Sequence, residues 1–293
     1  MSAFLQRAMG RLRPKKRKTN SSRAAPARRA ASARDAPVVI FGTGGSGTRA
    51  IQVLGDRAGY FMGTNLNRPG DSLDIGQFMR RWLNRYLVES NWVERMWRGS
   101  GEAGFGHPRA MATDFRGTIE EHRAAISDPD APWGWKAPRT ILIFPFVHEI
   151  YPAMRAVHLV RDGRDMAYSR NQNQVRAHGR KLLGRADREL PRPLTSVLFW
   201  ARVNLAAANY GARFLGANYL RLRYEDVCAD PGAAAVELVD FLDCPVPREE
   251  MRAIAAEVVH ASASIGRWKE QDPAELAELE RVGGEALRAF GYT

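Results

Sequence analysis

An α/β domain with a mainly parallel central sheet flanked by helices is the fold class predicted for this 293-residue sequence. Three observations predict it. The apolar run Val38-Val-Ile-Phe41 enters a glycine-rich loop, Gly42-Thr-Gly-Gly-Ser-Gly-Thr-Arg49. A second apolar run, Ala156-Val-His-Leu-Val160, ends on Arg161, and stretches of helical periodicity separate such runs along the chain. Strands that alternate with helices are joined by crossovers, which leave them parallel. Ligands of such sheets sit at the carboxyl ends of the strands, where both the glycine loop and Arg161 fall.

Each element follows from its residues. Pro37 and Gly42 bound the first strand, and Ile51, Val53 and Leu54 give residues 48–57 helical spacing, so the first unit reads strand, phosphate loop, helix. Tyr60-Phe-Met62 reads as a short second strand. From Asp74 to Val88 an amphipathic helix carries Phe78, Trp82, Leu83 and Tyr86 on one face. Trp133-Gly-Trp-Lys136 runs toward Pro138 and should end extended. A helix beginning near Arg139 would have to accommodate Pro145. Beyond the central strand, helices are expected at 162–176, 197–214, 233–242, 248–259 and 274–287, the last weakened by Gly283-Gly284. Tyr219-Leu-Arg-Leu-Arg-Tyr224 alternates as a strand does.

The charge is unevenly placed. Residues 1–36 hold eleven Lys or Arg against the single acid Asp35, so they carry +10 of the formal +12. The other 257 residues are close to neutral, with 33 basic and 31 acidic side chains. Residues 1–36 are too poor in large apolar groups to offset their ordering entropy and are expected to form a disordered basic tail ahead of a domain at 37–293. A solvated leader is the plain reading of the tail. Phe4, Leu5 and Met9 among Arg7, Arg11 and Arg13 also allow a short basic helix at an anionic membrane, a peripheral contact. No apolar run approaches the ~20 residues needed to span a bilayer. Two cysteines, Cys228 and Cys244, indicate neither a disulfide framework nor a metal site, so a cytoplasmic setting is expected.

The segment Arg161-Asp-Gly-Arg-Asp-Met-Ala-Tyr-Ser169 places a fixed cation and a hydroxyl around one anionic group, in outline a phosphate clamp. With the glycine loop it implies a ligand bearing two separated phosphates. These residues resemble the sulfotransferases that use 3′-phosphoadenosine 5′-phosphosulfate (PAPS). Ser46-Gly-Thr48 is similar to the family's Ser-Gly-Thr loop, and Arg161, Asp162, Asp165 and Ser169 match its Arg-Asp-x-x-Asp-x-x-x-Ser segment. Tyr224-Glu-Asp226 with Pro231, and Gly266-Arg-Trp-Lys269, resemble two later family segments. Four motifs in order, from Val38 to about Lys269, make the likeness specific where each alone is weak. A P-loop-containing, sulfotransferase-like fold is what the resemblance implies.

It also implies roles. Backbone N–H groups of the loop Gly42, Gly44, Gly45, Ser46, Gly47, Thr48 and Arg49 would cradle the 5′-phosphate at a helix N-terminus. Arg161 and Ser169, joined by Arg267, would take the 3′-phosphate, and Tyr224 the adenine. Two departures stand out: Gly45 occupies the place where many members have Lys or Arg before the loop serine, leaving Arg49 as the loop's cation, and Ala50 replaces a base-stacking Trp. Lys136, in a Lys-x-Pro context, would act on the leaving oxygen. No family motif marks the general base. Asp71 and His107 are the candidates between the loop and Lys136, with Asp74 behind them. Trp133 and Trp135 read as packing residues and His158 as a buried, satisfied histidine.

A nucleotide triphosphatase fits poorly, because Thr48-Arg49 stands where a Walker loop needs Lys and Ser or Thr for phosphate and magnesium. The absence of that pair also argues against a metal. A nucleic-acid-binding module would rest on the tail alone, with a near-neutral domain behind it and no groove-reading motif. A catalytically inactive adenosine-phosphate binder stays open because of Gly45 and Ala50. The acceptor is expected to present a hydroxyl on a carbohydrate, glycolipid or small molecule.

Overall fold

The computed structural model describes residues 36–97, 106–128 and 130–292. The expected tail lies outside the described residues apart from Ala36. Four strands form one sheet: β1 (Val38–Gly42), β2 (Gly134–Lys136), β3 (Arg155–Val160) and β4 (Tyr219–Arg223). They stand in the order β2-β1-β3-β4 with every pairing parallel. β1 and β3 are buried from end to end except for Arg155, so their apolar runs serve both faces of a covered sheet.

Helices cover both faces. On one side α1 (Thr48–Arg57), α8 (Pro231–Leu242) and α9 (Arg248–Val258) enclose Val38, Ile40, Ile51, Leu54, Leu238 and Met251. On the other, α2 (Leu73–Glu89), α3 (Arg109–Arg123), α4 (Phe144–Ile150) and α7 (Arg192–Tyr210) close over Val39, Phe41, Phe78, Phe115, Trp133 and Trp135. The two tryptophans are fully buried, as packing residues should be. Between these layers run the short α5 (Gly163–Ala167), then α6 (Asn173–Leu182), with α10 (Pro273–Ala289) last. Gly283 lies inside α10 because a Cβ there would meet Val197 at 2.7 Å: the glycine lets α10 approach α7.

Three expected elements come out differently. Tyr60-Phe-Met62 yields a single bridge, Phe61 to Trp133, because Gly63 at φ 96 turns the chain away. The helix expected from Arg139 divides into a 3-10 turn, Pro138–Leu142, and α4, where Pro145 falls in the first turn and its missing N–H costs nothing. The helix expected over 162–176 stops at Ala167. There the Gln172 side-chain amide donates to the carbonyls of Met166 (2.9 Å) and Ser169 (2.9 Å), taking up acceptors that a continuing helix would have used. Helix α3 lacked a sequence signal strong enough to be expected at all. Among the described residues no helix is long and apolar enough to cross a membrane.

Candidate active site

The carboxyl ends of β1 and β3 are neighbours in the sheet, with Gly42 paired to Leu159, so the glycine loop and Arg161 are brought side by side. Gly45 and Gly47 take φ 93 and 86, conformations that favour glycine, and Gly47 forms the left-handed entry to α1. A Cβ on Gly47 would overlap the ring of Tyr224. Tyr224 follows directly on β4 and lies buried against the loop, while the Arg161 guanidinium stands 4.9 Å over its ring. Loop, clamp arginine and tyrosine therefore form one contiguous wall, although 177 positions separate Gly47 from Tyr224.

Arg161 is buried and held from several directions. Its Nη1 donates to the Gly45 carbonyl (3.4 Å), and its Nη2 to Asp165 (3.2 Å) and to the carbonyl (2.7 Å) and hydroxyl (3.0 Å) of Ser264. Arg267 donates to the same Ser264 carbonyl (3.2 Å) and to that of Tyr168 (3.5 Å), so two cations meet at one point. Asp165 accepts from the backbone of Gly266 (2.9 Å) and Trp268 (3.3 Å), which fastens the late segment to α5. Behind the clamp, Glu225 accepts from the Asp162 N–H (3.0 Å) and from the Tyr292 hydroxyl (2.8 Å), setting the angle at which β3 gives way to α5. Ser169 lies on the same wall: its Oγ is 3.9 Å from where a Cβ on Gly45 would sit.

Three buried polar atoms on this wall lack a protein partner: Thr43 Oγ1, Ser46 Oγ and Arg161 Nε. Buried donors are ordinarily satisfied, and an anion with several acceptor oxygens would satisfy these. The first turn of α1 adds N–H groups with no carbonyl four residues behind them. These residues fit a ligand with anionic oxygens.

At the edge of the sheet, Lys136 ends β2. Its side chain is 1% exposed, and its ammonium donates to the Pro69 carbonyl (2.8 Å) and to the carboxylate of Asp71. Burial pulls its pKa below the ordinary lysine value, with Asp71 opposing and Arg49 reinforcing the shift. The other oxygen of Asp71 accepts from the Asn67 amide (3.0 Å), and Asn67 accepts in turn from the Asp71 N–H (2.8 Å), so the turn is closed on itself. Ser72 N–H donates to the Lys136 carbonyl (2.8 Å), anchoring the turn to β2.

A family comparison decides what this assembly belongs to: the sulfotransferase family profile matches residues 37–248. The chain belongs to the sulfotransferase family. Solved structures show the same fold. The sulfotransferase domain from the curacin biosynthetic pathway is 16% identical with a TM-score of 0.52, covering 88% of this chain and 98% of its own. Sulfotransferase STF9 from Mycobacterium avium is 13% identical with a TM-score of 0.52, covering 88% and 77%. No match is found among curated proteins.

For this sulfotransferase, the residues expected to hold nucleotide do converge, from Gly42 to Arg49 through Arg161, Ser169, Tyr224 and Arg267. Of the catalytic candidates, Asp71 touches Lys136, but His107 does not join them. His107 stacks edge-on against Phe146 and faces Glu149 (3.3 Å) near the end of α4, from which the chain returns to the amino end of β3. His107 thus stands apart from the Lys136–Asp71 pair. Asp74 lies in the first turn of α2, which Ser72 caps, and accepts from the Asn65 amide (2.6 Å). His158 is buried between Asn204 (2.9 Å) and Tyr219 (2.7 Å), as a satisfied core histidine should be. Ser264 was missed. Its only signal in the sequence is its place two residues before Gly266, and its contact with Arg161 spans 103 positions.

Proposed function

We propose that the chain transfers a sulfuryl group from PAPS to an acceptor hydroxyl on a carbohydrate, glycolipid or small molecule. The observation that carries this reading is the wall formed by the loop, Tyr224, Arg161, Ser264 and Arg267, with Lys136 at the same end of the sheet on β2, the strand next to β1. Bound PAPS would supply an SO3 unit joined to its 5′-phosphate through a bridging oxygen.

The chain's residues then divide the task. The N–H groups of Gly44, Gly45, Gly47, Thr48 and Arg49, with the free hydroxyl of Ser46, take the 5′-phosphate. Arg161, Ser169 and Arg267 take the 3′-phosphate, and the Tyr224 ring borders the adenine. An ammonium has three donors, and Lys136 spends two on Pro69 and Asp71. The third meets the bridging oxygen as the S–O bond breaks and that oxygen keeps the electron pair. Asp71 accepts the proton of the acceptor hydroxyl as its oxygen forms the new bond to sulfur. Alignment and charge stabilisation, without a covalent protein intermediate, suffice for such a transfer, by analogy with phosphoryl groups.

Calorimetry with 3′-phosphoadenosine 5′-phosphate (PAP), with and without a chelator and against ATP, tests the nucleotide half. Tight, chelator-independent PAP binding is expected. A strict metal requirement or a preference for ATP would overturn the reading. The basic segment 1–36 is proposed to add attraction to anionic surfaces without contributing to the folded domain.

A further inference from the structure

His122 lies in the last turn of α3 and is buried. Its place follows from β2 being the edge strand of the sheet. With β1 on one side only, the carbonyls of Gly134 and Lys136 take donors from outside the sheet. Lys136 accepts from the Ser72 N–H (2.8 Å), and Gly134 accepts from Nε2 of His122 (2.9 Å). A histidine side chain thus stands where a neighbouring strand would.

The other ring nitrogen, Nδ1, faces Oδ2 of Asp74 at 3.5 Å. Oδ1 of Asp74 accepts from the Asn65 amide (2.6 Å), and the Asn65 carbonyl accepts from the Leu73 N–H (2.9 Å). A carbonyl and a carboxylate can only accept, so the ring holds both by donating from each nitrogen. Gly63, at φ 96, closes against the same ring: a Cβ there would overlap His122 Cε1. His122 therefore meets the segment 63–74 at both its ends, and meets β2 at Gly134. Between those ends the segment carries Pro69 and Asp71, the two residues that hold the Lys136 ammonium.

We propose that His122 is the positioning residue of the Lys136–Asp71 pair, fastening the segment that bears Asp71 to the strand that bears Lys136. This rests on the catalytic reading of that pair, and His122 acts on it through Asp74 and Gly134. Among the described residues, the hydrogen bonds that otherwise join 63–74 to β2 are the one from Ser72 and those of the Lys136 ammonium itself. Without the ring, the catalytic contact would have to hold the segment as well as do chemistry. A displacement of about 1 Å is enough to lose most of a transfer rate.

The test uses the full-length protein isotopically labelled at the ε-carbons of its six lysines and read by NMR. Lys136→Arg identifies the Lys136 signal, and Asp71→Asn marks where that signal moves when the ion pair is lost. His122→Gln keeps a donor toward Gly134 and gives up the one toward Asp74, while Asp74→Ala removes the carboxylate. Each should move the Lys136 signal toward its Asp71→Asn position and leave those of Lys181 and Lys269 in place. Sulfuryl transfer from PAPS should fall by about tenfold or more in both variants, with PAP affinity unchanged. In an Asp71→Asn background His122→Gln should add nothing, because it acts through that carboxylate. Asp74 is partly exposed, so its variant carries the test should His122→Gln fail to fold. A Lys136 signal that ignores the substitutions overturns the proposal, as does one that shifts together with Lys181 and Lys269. So does a loss of rate in His122→Gln that persists in full without the Asp71 carboxylate. If the Lys136 signal responds but Asp71→Asn transfers at the parent rate, the catalytic reading of the pair fails, and this role falls with it.

Discussion

The ammonium of Lys136 meets the carboxylate of Asp71 at the carboxyl end of β2, across 65 positions of sequence. One residue of this pair suits a developing negative charge and the other a departing proton, and the Pro69 carbonyl and Asn67 hold both in place. The pair therefore offers a sharper set of tests than either residue alone.

Lys136→Ala is expected to lower the rate of sulfuryl transfer by about a hundredfold or more, the scale of one lost oxyanion donor, while PAP affinity changes little. Single-turnover transfer and calorimetry separate the two effects. A variant that transfers at the parent rate would move the catalytic cation to Arg49.

The same lysine predicts the alkaline limb of the pH–rate profile. Because burial lowers its pKa, the cation is lost at a lower pH than for an ordinary lysine, and the rate should fall there. Lys136→Arg, whose guanidinium keeps its proton, should retain weak activity and shift that limb upward. A limb unmoved by the substitution would belong to another group.

Arg161→Ala should weaken PAP binding by roughly 2 kcal/mol or more, as expected for a lost charge-assisted contact. Binding of adenosine 5′-phosphosulfate, which has no 3′-phosphate, should change far less. Equal losses for the two ligands would show that Arg161 serves the loop and not the 3′-phosphate.

Gly47→Ala is expected to destabilise the fold by about 2 kcal/mol, through a strained positive φ and overlap with the Tyr224 ring. Adding Tyr224→Leu should recover the part due to overlap but not the part due to φ. Urea unfolding of the single and double variants measures both.

His158 gives a stability test. Its pKa is lowered by burial to about 3, so the unfolded chain takes up its proton below about pH 6.5 while the folded chain does not. Stability from this residue is present above the unfolded value and is lost as pH falls toward 3, with a slope of up to about 1.4 kcal/mol per pH unit. His158→Gln, which keeps a polar group beside Asn204 and Tyr219, should flatten the decline between pH 6 and 4 in denaturant titrations. An unchanged slope would assign the acid sensitivity to other groups.

The sequence by itself determined the strand–loop–helix unit from Val38 to Arg57, the end of β3 at Arg161 and the strand after Asn218, because period, glycine placement and apolar runs are local signals. It also marked the glycine loop and the Arg161 segment, since each is a contiguous motif. Pro145 and Gln172 were visible, but their effect on helix ends depended on which carbonyls their neighbours needed. Only the tertiary structure decided that Ser264 binds Arg161 and that Asp71 and not His107 meets Lys136. Those are long-range pairings, set when the parallel sheet brings the ends of distant strands together. No spacing along the chain encodes which side chains then touch.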